Sequence, residues 1–189
     1  MTTFEMSPEK YIEKYIYNKK ERISRNMSYG SQMAKGLEDE EATGDPLLDL
    51  MMVRLPKFEL MDVPFEAELP DKKDIIRILA RPDTAKADYT AFKEYKTSTR
   101  KWTQKMADES GQIDFYVTAI WLLTKLFPES VDIELVNVPV YYDAHGRLHP
   151  TSEIVRLPTK RTMANVIKTT GRMRHAWHGI QELCKSELL

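Results

Sequence analysis

A short stretch in the middle of the chain has the residue types and spacing for phosphodiester chemistry. Tyr89 to Ser98 reads YTAFKEYKTS, a composition that predicts a β-strand. The strand period of two turns Glu94 and Lys96 to one face and Tyr95 to the other. Asp83 lies eleven residues before Glu94, at the end of the preceding strand. With a hairpin turn centred near Asp88 it falls across from Glu94, and two carboxylates then share a small space with a lysine. Oxygen ligands of this kind suit Mg²⁺ or Mn²⁺, one or two ions, which polarise a phosphate and lower the pKa of an attacking water. A lysine beside them positions that water or stabilises the developing charge. An acid two residues before a lysine is nevertheless a cheap string. It also occurs at Asp71-Lys72-Lys73, and on the string alone an exposed strand salt bridge is the better reading; the surrounding motifs and elements are what favour chemistry.

The elements around this stretch are legible from periodicity. A first helix opens at Ser7 or Pro8, with Tyr11, Ile12, Tyr15 and Ile16 at helical spacing, and ends near Ser24 to Met27. A second runs from about Gly30 to Glu41, and Thr43-Gly44-Asp45-Pro46 breaks it. Its terminal run Glu38-Asp39-Glu40-Glu41 opposes the helix dipole unless something cationic sits nearby. An apolar segment, Leu47 to Leu55, precedes strands over Val63 to Leu69, Asp74 to Ala80 and Tyr89 to Ser98. Gly111 to Phe127 is a helix with Ile113, Tyr116, Val117, Ile120 and Leu123 on a common side. Val131 to Val140 is a further strand, Tyr141 to Leu157 a hairpin through Asp143-Ala144-His145-Gly146, and about Arg161 to Leu188 a last helix. This order predicts an α/β fold with a mixed central sheet flanked by helices.

Length and composition agree with that class. The chain has 189 residues, which argues for one domain, with 42% apolar and 30% charged residues. Gly and Pro together number 17, so disorder and low complexity are poor descriptions. Cys184 is the single cysteine, which rules out an internal disulfide, a cysteine-based zinc site and an iron–sulfur cluster. The N-terminal sequence has no apolar run of signal-peptide type, and no stretch is long enough to span a bilayer. A cytoplasmic protein without membrane association is expected. Net charge is −1, but it is segregated. Residues 38–74 hold twelve acids against four bases, and Val155 to Lys185 seven bases against one acid. One half can hold cations and the other face phosphates, or both are solvated helix faces.

Pro82-Asp83, Glu94-Tyr95-Lys96 and Gln112-Ile113-Asp114-Phe115-Tyr116, in that order and between these elements, resemble the PD-(D/E)XK nuclease superfamily. The likeness is to its RecB-like and phage-exonuclease branch, which adds a Gln-x-x-x-Tyr motif. It spans about Ser28 to Val140, leaving the N-terminal helix and the C-terminal hairpin and basic helix outside the core. The resemblance implies that Asp83 and Glu94 are metal ligands, that the Tyr95 carbonyl is another, and that Lys96 is the catalytic lysine. Gln112 and Tyr116, one helical turn apart, would sit beside the active centre and contact substrate or hold Lys96. Such families draw a further ligand from a Gly-x-x-x-(His/Glu) pattern in the first core helix. Here Gly30-Ser31-Gln32-Met33-Ala34 puts alanine there, and Glu38, one turn on, is the substitute, with Glu41 in reserve.

The activity so implied is Mg²⁺-dependent hydrolysis of DNA by an exonuclease of recombination or end processing, leaving a 5′-phosphate. An endonuclease using the same site, or an inactive nucleic-acid-binding or assembly protein of the same fold, are the rivals. Relatives that degrade DNA processively can form rings, so a homo-oligomer and a recombination partner protein are the further partners. Lys93, Arg100, Lys101 and Lys105 can line a backbone groove, and Arg172 and Arg174 lie on the basic helix. Trp102 among bases either stacks on an unpaired nucleotide or packs in the core. His145 and His149 flank a turn, and His175 and His178 fall three apart on a basic helix without acidic or thiol partners, so they do not read as a zinc site; solvent exposure, or phosphate contact for the latter pair, is expected.

Overall fold

The computed structural model describes residues 25–72 and 74–187, together with Lys14, Tyr17 and Lys19. Apart from Lys14, Tyr17 and Lys19, the expected first helix up to residue 24 lies outside the described residues. Helix α1 (Arg25–Asp39) is the expected second helix, begun earlier and ended where Glu40 turns left-handed at φ 55°. Its buried stripe is Tyr29, Met33 and Leu37, at i, i+4 and i+8. The Asp45-Pro46 pair that stops one helix also starts another, α2 (Pro46–Arg54). The Asp45 carboxylate accepts the N–H groups of Leu47 and Leu48 at 3.0 and 3.3 Å, and proline suits the first helical position. The apolar segment Leu47 to Leu55 is therefore helical. Gly36 allows the two helices to meet, since a Cβ there would lie 2.8 Å from the Thr43 methyl and 2.9 Å from Met52.

The strands are β1 (Leu60–Met61), β2 (Phe65–Asp71), β3 (Asp74–Ala80), β4 (Thr84–Ala85) and β5 (Ala91–Ser98), and they carry a correction. Strand β3 does not form a hairpin with β5. It pairs only with β2, as a separate antiparallel ribbon. Pro82 cannot donate to a ladder and ends β3, after which the two-residue β4 pairs with β5. The turn between β4 and β5 is closed by Asp88, which accepts from the Thr90 N–H and hydroxyl at 3.0 and 2.7 Å.

Helices α3 (Gln104–Asp108) and α4 (Gly111–Thr124) follow, then β6 (Asp132–Tyr142), β7 (Leu148–Pro150), β8 (Val155–Thr159) and α5 (Met163–Glu187). Strands β5 and β6 run parallel, joined by the α3–α4 crossover. The result is an α/β fold. A six-stranded mixed sheet runs β1-β4-β5-β6-β7, with β8 also on β6. Helices α1 and α2 pack on one face against Tyr95, Val136, Val138 and Val140. On the other, α4 and the β2–β3 ribbon pack on Phe92 and Ile133, and Val166 of α5 joins them. Phe92 is wholly buried. A side chain so placed contributes about 1.5–3 kcal/mol, which anchors β5 beneath α4. No helix among the described residues is long and apolar enough to cross a membrane.

Candidate active site

Because β4 is only two residues long, the edge of β5 beyond Lys93 has no partner strand. Asp83 takes that place. Its Oδ2 accepts the Tyr95 N–H at 2.5 Å, and the Thr84–Lys93 register, carried one residue back, sets it opposite Glu94. Glu94 and Lys96 share a face, as the strand period requires: Lys96 Nζ donates to Glu94 Oε1 at 2.6 Å. Lys96 also donates to Gln112 Oε1 at 2.7 Å, Gln112 Nε2 donates to the Tyr116 hydroxyl at 2.9 Å, and that hydroxyl donates to the Arg81 carbonyl at 2.8 Å. The network thus starts at Asp83 and returns to the same loop two residues earlier. Gln112 and Tyr116 hold Lys96 in place.

The electrostatics single out Glu94. Its residue is 3% exposed; its buried Oε2 finds no N–H or O–H donor, and protonated Glu94 can hydrogen-bond only to the neighbouring Asp83 carboxylate. Burial first, and the adjacent Asp83 carboxylate second, push its carboxyl up to about 8, against the pull of Lys96. Asp83 is also raised, chiefly by burial, despite the Tyr95 amide and Lys96. Burial and then Glu94 raise the Tyr116 phenol. Two buried carboxyls side by side cannot both ionise cheaply, so the pair holds a proton or a cation.

The pair opens into a cavity of about 310 Å³ between α1 and the edge of β5. Ala34 and Glu38 stand on its helical wall, and Asp62, Asp83 and Glu94 on the other side. Helix α1 comes close to β5 at Gly30, where a Cβ would be 3.0 Å from Thr97 Oγ1. Glu38 lines the cavity but is solvent-exposed, whereas Glu41 lies on a different, shallow depression. Among the described residues no group of three or more His, Cys, Asp or Glu is arranged to hold a metal ion. The donors present still suit Mg²⁺, which needs only one or two carboxylates and keeps several of its waters. The two adjacent buried carboxyls, whose repulsion a divalent cation in place of a shared proton would relieve, are the observation that fits.

The structure does not bring the expected basic groove to this cavity. Lys93 lies on the opposite face of β5, with Nζ 2.6 Å from Glu134 and 4.6 Å from the centre of the Phe58 ring. Lys101 pairs with Glu153 at 2.6 Å and Lys105 with Glu109 at 3.8 Å, both exposed, and Arg100 is exposed beside them. Trp102 packs against the small cluster of Ala107, Leu135 and Leu157. On α5, Arg174 donates to the Pro70 carbonyl at 3.0 Å and His178 meets Asp71 at 2.6 Å, tying that helix to the β2–β3 ribbon. Arg172 lies on the same helix, half-buried. Asp71, the acid of the other acid-x-lysine string, is thereby committed to a structural contact.

Two residues that matter here carry no clear sequence signal. Asp62 lines the cavity with φ 50°, and the only hint is that aspartate tolerates left-handed backbone. Arg161 is 1% exposed and donates to the carbonyls of Ala107 and Ser110 at 3.0 and 3.2 Å and to the Thr159 hydroxyl at 2.7 Å, besides pairing with Asp114. It thereby sets the start of α4, where Gln112 sits. No protein-family model, no curated protein and no solved structure matches the chain.

Proposed function

We propose that the chain is a metal-dependent nuclease of PD-(D/E)XK, RecB-like type, cutting DNA phosphodiester bonds, and that it acts as an exonuclease in recombination or end processing. The observation that carries this reading is the convergence of Asp83, Glu94 and Lys96, with two buried carboxyls side by side at a cavity wall and no N–H or O–H donor on Glu94 Oε2. Asp83 and Glu94, with the Tyr95 carbonyl and Glu38 to complete the set, would hold one or two Mg²⁺ or Mn²⁺, whose chemistry is to polarise the phosphate and acidify a water. Lys96 orients that water or meets the charge that develops on phosphorus, and the Gln112–Tyr116 relay keeps its ammonium group aimed. In-line attack then leaves a 5′-phosphate.

A second reading, a DNA-binding or assembly protein that keeps this fold without turnover, draws on Ala34 at the helical wall and on the absence of a three-ligand group among the described residues. Degradation of end-labelled linear duplex and single-stranded DNA beside closed circles, with Mg²⁺, Mn²⁺ or EDTA, separates the readings. Metal-dependent loss of linear DNA alone is expected, with a drop of about 10²–10⁴-fold in Lys96→Ala. Nicked circles would mark an endonuclease, and inactivity with every metal would favour the non-catalytic reading.

A further inference from the structure

Asp62 lines the cavity, Arg81 is bonded to it, and neither side chain takes part in the chemistry above. Asp62, in the turn from β1 to β2, holds a left-handed conformation that few side-chain types adopt at small cost. Its neighbours over-determine it. Its N–H donates to the Asp83 carbonyl at 2.9 Å, its carbonyl accepts from Arg81 Nε at 3.1 Å, and its carboxylate lies 3.1 Å from the same nitrogen. The Arg81 carbonyl in turn accepts from Tyr116. Arg81 is therefore tied through its backbone to the Lys96 relay and through its side chain to a carboxylate that lines the cavity.

The guanidinium is gripped only at Nε. Its two terminal nitrogens have no partner among the described residues, and the side chain is 55% exposed. Lys96, Lys93 and Lys101 are occupied, by Glu94 and Gln112, Glu134 and Glu153; Arg100, exposed past the end of the strand, is tied to no cavity-lining carboxylate as Arg81 is. A guanidinium held at Nε and open at both terminal nitrogens presents a planar fork that matches two oxygens of one phosphate.

We propose that Arg81 is the phosphate-anchoring side chain of this site, oriented by Asp62 to take a phosphate group of the nucleic acid at the cavity mouth. This rests on the nuclease reading for the identity of the ligand. The phosphate is either an internal phosphodiester or a terminal 5′-phosphate, and the test separates them.

The test is fluorescence anisotropy of 3′-labelled short duplexes bearing a 5′-phosphate or a 5′-hydroxyl, titrated in EDTA with wild-type protein, Arg81→Ala, Arg81→Lys and Arg77→Ala. Arg77 is an exposed charge on β3 and serves as the control. Arg81→Ala is expected to bind about tenfold more weakly with the slope of log affinity against log salt reduced by about one, Arg81→Lys to fall between, and Arg77→Ala to change less than about twofold. An Arg81 effect confined to the 5′-phosphate duplex identifies the terminal phosphate, and an equal effect on both identifies the backbone. Arg81→Ala binding as tightly as wild type overturns the inference while Mg²⁺-dependent cleavage by wild type leaves the nuclease reading standing. Neither binding nor cleavage by wild type overturns both.

Discussion

Among the described residues the two most deeply buried ionisable side chains, Arg161 and Glu94, are treated in opposite ways. Arg161 is 1% exposed, and its guanidinium meets the Asp114 carboxylate, three carbonyl oxygens and a hydroxyl. Glu94 is 3% exposed, yet besides Lys96 its only side-chain partner is a second carboxylate, Asp83, which it can meet only through a shared proton. Saturation of every donor makes the first a structural rivet at the α3–α4 corner. Incomplete pairing makes the second a liability for folding, retained where a cavity gives a cation access. The completeness of a buried charge's partners, more than its burial, separates scaffold from site.

The largest effect that would break this contrast is on stability. Arg161→Met strands Asp114 and the freed carbonyls and is expected to cost about 3–5 kcal/mol in chemical denaturation. A loss under about 1 kcal/mol would mean that the corner does not depend on it. Glu94→Gln should move the other way, stabilising the metal-free protein while removing cleavage.

The same contrast sharpens with pH. The Glu94 carboxyl titrates near 8 in the fold against an ordinary 4.5, so between those values the unfolded chain has lost a proton that the folded one keeps. Its contribution is fully present below about 4.5 and is lost as pH rises through about 8. Thermal unfolding in EDTA should therefore decline across that window in wild type and be flatter in Glu94→Gln; parallel curves would contradict the assignment. Smaller still, Tyr116→Phe removes the link from Gln112 to Arg81 and should lower cleavage by about tenfold with stability changed by about 1 kcal/mol. Lys105→Ala, at an exposed pair outside the cavity, should leave both within about 0.5 kcal/mol.

Much of the framework was readable because single rules governed it. The strand β3 coincides with the expected Asp74 to Ala80, and α4 follows its apolar stripe, since period and burial agree there. The shared face of Glu94 and Lys96 needed only the strand period. The hairpin between β3 and β5 was misplaced because Pro82 admits a short new strand, whose two residues carry too little pattern to be seen. Helix α2 escaped because an apolar run without clear periodicity does not distinguish helix from strand, although Asp45-Pro46 was its signal. The placement of the basic side chains away from the cavity was hidden for a different reason. Composition shows where lysines and arginines are, but their partners Glu134, Glu153 and Asp71 come from distant segments. Arg161 and Asp62 owe their roles to such long-range contacts as well.

The central claim is that the incompletely paired carboxylates await a cation. Calorimetric titration of Mn²⁺ into wild-type protein, Glu94→Gln and Asp83→Asn tests it most directly. Saturable binding by wild type, lost or weakened at least about tenfold in both variants, is the predicted result. Binding of equal strength in all three proteins, or none in wild type, would contradict it.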